Sequence, residues 1–147
     1  MSFQEAILKG RKHDALQVLN CDRILLLIAD IGLEITLRVI EKSKTDFKQY
    51  LDELLVAGHL ENPIDLRVTY HSIAGVAAMF GADKLHFIAS QAEAVCLQTG
   101  STLLRRNKCD VADALTEYLD TLQKFNVQAL YAQTKDGDRE HHPHCEI

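Results

Sequence analysis

The residues best placed to do chemistry lie in one stretch, LRVTYHSIAGVAAMFGADKL, residues 66–85. On a helical wheel of about 100° per residue, Leu66, Thr69, Ile73, Val76, Ala77 and Phe80 share one arc, which reads as a core face. His71 falls near the opposite pole. It shares the outer face with Arg67, Val68, Ala74, Gly75 and Ala78. A solvated helix face is normally charged, but this one is small and largely apolar around a single imidazole. Small residues leave room for another protein to reach the ring, and an apolar patch around one polar group suggests docking. A neutral, exposed imidazole nitrogen is a nucleophile near neutral pH, since the reference pKa of the side chain is about 6.5. His71 therefore reads as an exposed nucleophile set in a docking face.

The same residues carry a resemblance. His71-Ser72-Ile73-Ala74-Gly75-Val76-Ala77, followed by Gly81-Ala82 and Leu85, is similar to the pattern of the histidine-containing phosphotransfer (HPt) domain. That pattern is roughly H-x-L-K-G-x-A, with Gly-Ala ten positions after the His and then a leucine. Ile73 stands where a leucine is usual. The order of elements also resembles the family over residues 20–132. The resemblance implies that His71 accepts a phosphoryl group from the aspartate of a receiver domain and passes it to another receiver. It implies a response-regulator receiver domain, a hybrid histidine kinase, or both as partners. Mg²⁺ is expected on the receiver, with no cofactor or metal held by this chain. A monomer is expected, as is usual in the family. The docking face is expected to comprise Val68, Ala74, Gly75 and Ala78.

One departure matters. The family usually has Lys or Arg three residues after the His, and this chain has Ala74. A cation there would help to neutralise an incoming phosphoryl group. Arg67 precedes His71 by four residues, and offsets of +3 and −4 differ by only about 20° on a helix. Arg67 is therefore the candidate replacement cation. A second reading keeps the fold and drops the chemistry: a degenerate HPt-like helical module that binds a receiver or kinase without phosphotransfer. The chain has no glycine-rich ATP loop of the P-loop or kinase type, so a phosphocarrier is expected rather than an enzyme.

The elements that must position His71 are helical. Asn20 or Asp22 caps a short helix through Ile31, and Gly32 interrupts it. Leu33, Leu37, Ile40, Phe47, Leu51 and Leu54 form one stripe of a long helix to about Ala57. Asn62 as N-cap, Pro63 at the first position and Asp65 in the first turn start the next helix, which runs to Phe80 and stops at Gly81. Another spans Asp83 to about Leu97. Residues 98–109 read as a basic turn, and Asp110 as the cap of a last long helix to about Ala129. The fold class is all-α, an antiparallel four-helix bundle with additional N-terminal helical segments. The division expected is a helical extension over 1–19, the bundle over 20–132 and a flexible polar tail over 133–147.

Composition narrows the partners. Sixteen basic against 21 acidic residues give a net charge of −5, a poor match to nucleic acid or to an anionic membrane. No apolar run is long enough to span a bilayer. The opening MSFQEAILKGRKHD has no apolar segment of signal type, so a cytoplasmic protein with reduced thiols is expected. Cys21 and Cys96 sit among apolar neighbours and read as core residues. The cluster His141-His142-Pro143-His144-Cys145 offers metal-ligating side chains without the spacing of a structural zinc site, and reads as part of the polar tail. His13 and His59 read as incidental. His86, just after the Gly81-Ala82 turn, borders the docking face and is assigned no role.

Overall fold

The computed structural model describes residues 16–56, 62–98 and 100–135. Among them are six α-helices: α1 (Cys21–Ile31), α2 (Leu33–Leu55), α3 (Pro63–Met79), α4 (Asp83–Val95), α5 (Ser101–Lys124) and α6 (Val127–Lys135). A 3₁₀ turn, Cys96–Gln98, follows α4. No described residue is in a strand. Helices α2 to α5 pack as a ring in which each touches the next and α5 returns to α2. This is the expected antiparallel four-helix bundle. The short helices α1 and α6 pack on α2 and on each other. Among the described residues, no helix is long and apolar enough to cross a membrane.

Each helix starts for a local reason. The Asn20 side chain accepts the Arg23 N–H at the head of α1, and the Asn62 side chain accepts the Ile64 N–H at 2.8 Å at the head of α3. Pro63 fills the first position of α3, where its missing N–H costs nothing. The buried face of α2 includes two hydroxyls, and both are satisfied within the helix: Thr36 donates to the Gly32 carbonyl and Ser43 to that of Ile40, each at 2.7 Å. The core is filled by Phe47, Leu66, Tyr70, Ile73, Leu85, Leu115 and Tyr118, all essentially solvent-free. Phe47 and Tyr118 meet edge to face with centroids 5.5 Å apart. The Tyr118 hydroxyl donates to the Phe80 carbonyl at 2.9 Å, supplying a partner to the C-terminal end of α3.

The turn between α3 and α4 depends on Gly81. Its φ of 73° is left-handed, and a Cβ there would sit 2.6 Å from the Asn20 carbonyl oxygen. The chain entering α1 lies across this turn. Asn20 N–H donates to the Gly81 carbonyl at 2.7 Å, Lys84 N–H to that of Gln17 at 3.0 Å, and the Asn20 side-chain amide to Asp83. The far end of the hairpin is tied too, since the Cys96 thiol donates to the Pro63 carbonyl at 3.1 Å.

Four expectations are corrected. Residues 101–109 are helical rather than a turn, because Leu104 supplies a buried apolar position one heptad before Val111 and extends the α5 stripe backwards. Asp110 is an exposed residue inside α5, not a cap. The last helix breaks at Phe125, whose ψ of 134° is extended, and Asn126 restarts the chain as α6 by accepting the Ala129 N–H at 3.0 Å. The thiols are not all reduced: Cys21 is buried as expected but disulfide-bonded, whereas Cys96 and Cys109 are free. His13, His59 and the cluster 141–145 lie outside the described residues.

Replacing Gly81 with Ala forces a side chain into the left-handed region against backbone that cannot yield. A loss of about 2 kcal/mol or more is expected, measured as a lower urea midpoint with an unchanged slope.

Candidate functional site

Helix α3 is held in rotation by the residues on either side of His71. Tyr70 and Ile73 are fully buried, which forces His71 outward. Its side chain is 77% exposed. The expected core residues Leu66, Thr69, Ile73, Ala77 and Phe80 are buried, and Val76 is half-buried. Tyr70 joins them, and burial pushes its phenol well above the usual tyrosine range.

The hydrogen bond that defines the site joins α3 to α4. His71 Nδ1 lies 2.7 Å from Glu93 Oε1. An ionised carboxylate can only accept, so Nδ1 is the donor. In the neutral ring this leaves the proton on Nδ1 and a bare lone pair on Nε2. Glu93 is itself only 25% exposed, so its side chain is held against the helices rather than swinging in solvent. Sequence reasoning missed Glu93. A signal was present: His71 lies ten residues before Gly81 and Glu93 twelve after it, and an antiparallel hairpin brings such positions to one level.

The remaining site residues separate into two groups. Val68, Gly75 and Ala78 are exposed and share the His71 side of α3. Ile64, also exposed, extends their stripe by a turn, and Met79 adds an exposed apolar side chain at its other end. Ala74 is a correction. It is 5% exposed because α4 packs against this flank of α3, and it belongs to the core, not to an accessible docking face. Its carbonyl accepts a hydrogen bond from His86 Nδ1 at 2.8 Å. Arg67 is exposed and forms no ion pair among the described residues. Burial pushes the Cys96 thiol up, and the positive charge of Arg67 opposes that push.

The site is a convex helix face with one nucleophile, one carboxylate and one nearby cation. Among the described residues, no three His, Cys, Asp or Glu side chains are grouped to hold a metal ion. Such a face can receive a group from another protein's pocket.

The model of the Hpt domain family matches residues 38–125, more than half of the chain, and the chain belongs to that family. Hpt domains are phosphotransfer modules of two-component signalling that work with receiver domains and kinases. No curated protein and no solved structure matches the chain.

Glu93→Ala removes the acceptor that selects the Nδ1–H tautomer. In ¹⁵N spectra of the imidazole, the wild type is expected to show a proton on Nδ1 and a bare Nε2 when neutral. The variant is expected to gain the Nε2–H form and to accept phosphoryl groups about tenfold more slowly, the scale of one charge-assisted hydrogen bond.

Proposed function

We propose that this chain is a phosphorelay carrier in which His71 accepts a phosphoryl group from a receiver-domain aspartate and returns it to the aspartate of another receiver. The observation that carries this reading is the Nδ1 hydrogen bond to Glu93 on an otherwise open imidazole. Nε2 attacks the phosphorus of the aspartyl phosphate. The new N–P bond forms as the acyl P–O bond breaks, and the aspartate departs as a carboxylate. The ring becomes an imidazolium, whose Nδ1–H stays on the Glu93 carboxylate. Transfer onward reverses these steps at a second receiver. This chain supplies the nucleophile and the docking surface, and Mg²⁺ bound by the receiver would supply charge neutralisation at the phosphoryl oxygens. Arg67 is the cation of this chain assigned to the phosphoryl group.

Gly75 supports docking on α3. A glycine inside a helix is unfavourable relative to alanine, and a Cβ here would meet nothing within 4 Å. Nothing within the described chain accounts for the missing side chain. Close approach of a partner one turn from His71 does.

The reading of a receiver-binding module without phosphotransfer is favoured by one observation: the position after His71 that usually carries a cation is Ala74, buried and uncharged. Transfer from a phosphorylated receiver separates the two. The proposal expects a labelled chain in the wild type and none in His71→Gln, whereas the binding-only module leaves both unlabelled and still binds. Gly75→Ala is expected to raise folding stability by about 1 kcal/mol while weakening receiver docking. Arg67→Ala is expected to slow transfer about tenfold, the scale of one lost charged contact. An unchanged rate would remove Arg67 from the mechanism.

A further inference from the structure

His86 is the one exposed side chain of α4 that is anchored on the backbone of α3. Its Nδ1 sits 2.8 Å from the Ala74 carbonyl oxygen. A carbonyl only accepts, so Nδ1 carries a proton whether the ring is neutral or charged. Nε2 is therefore the atom left for an outside partner. His86 and Glu93 are seven residues apart on α4, within about 20° of the same face. Glu93 from that face reaches His71, so His71 and His86 belong to one composite surface made by both helices. The ring lies against the turn of α3 that contains Ala74, where the family's usual cation would arise. No carboxylate pairs with His86 among the described residues.

We infer that His86 is a specificity-determining contact for the phosphoryl-bearing partner: with Nδ1–H committed to the Ala74 carbonyl, the charged form of the ring turns a second donor, Nε2–H, toward an anionic oxygen on the rim of the partner's pocket. The inference rests on the phosphorelay reading above. The partner is a domain whose phosphoaspartate pocket is rich in carboxylates, because Mg²⁺ must be held there. A donor on α4 complements that charge from the flank opposite to the exposed Val68 stripe. Ala74 is then tolerated because a side chain from the neighbouring helix covers its position. His86 contributes to recognition and not to the N–P bond itself.

Two substitutions separate contact from architecture. His86→Asn keeps a donor near the Nδ1 position, so the bond to the Ala74 carbonyl survives while the outward nitrogen is lost. His86→Ala removes both. The measurements are made on the full chain: loading with phosphoramidate, a donor too small to need docking, and transfer from a receiver domain that phosphorylates the wild type. Both variants are expected to load from phosphoramidate within twofold of the wild type. Both are expected to lose about tenfold in kcat/KM with the receiver, chiefly through KM, as one charge-assisted contact predicts. Wild-type transfer by His86→Asn, with a defect confined to His86→Ala, makes the residue purely architectural and overturns the inference. Failure of the wild type itself to load from phosphoramidate overturns the phosphorelay reading, and the role of His86 with it.

Discussion

The close approach of α3 and α4 is the constraint on which the rest depends. Ala74 and Ala77 on α3, and Ala89 and Ala92 on α4, are all buried. Residues this small let two helical backbones come near enough for an imidazole on one to bond a carbonyl on the other, as His86 does with Ala74. The register of the pair is then fixed at both ends. Gly81 closes one, under the carbonyl of Asn20, and Cys96 ties the other to Pro63. With closure at both ends, Glu93 has one level at which it can meet α3, and that is the level of His71.

The electrostatics of the site follow from this register. In the proposed transfer, a carboxylate beside the imidazole favours the positive charge that would develop on the ring during attack on phosphorus. The same carboxylate repels the phosphoryl group, so charge must be neutralised from elsewhere. Arg67 stands one turn away without an ion-pair partner among the described residues, and in the proposed relay Mg²⁺ on the receiver would supply the remaining positive charge. An uncovered, largely apolar helix face with a bare Nε2 suits chemistry completed by a second protein. Neither the apolar stripe nor Gly75 serves the stability of the isolated bundle. Both are costs that the proposed docking would explain.

Much of this was legible in the sequence. The helix starts at Asn20 and Asn62, the stop at Gly81 and the outward direction of His71 all follow from caps, glycine and wheel periodicity, which are local signals. The residues that were misread or missed depend on a neighbouring helix. Ala74 reads as outward on its own wheel and is buried because α4 covers it. Glu93 reads as one more surface carboxylate until the hairpin register places it against His71. The start of α5 was hidden by a polar, basic stretch in which only Leu104 marks the buried face. The split at Phe125–Asn126 reflects α6 packing back on α1 and α2, which apolar periodicity alone does not encode.

Glu93 holds the His71 proton on Nδ1, and in the proposed relay this makes Nε2 the accepting atom. The most direct measurement is heteronuclear ³¹P and ¹⁵N NMR of the chain after loading with phosphoramidate, assigning which ring nitrogen of which histidine bears phosphorus. A single phosphoryl group on Nε2 of His71, with Nδ1 still protonated, is the expected result. Phosphorus on Nδ1 of His71, or on a different histidine, would contradict it.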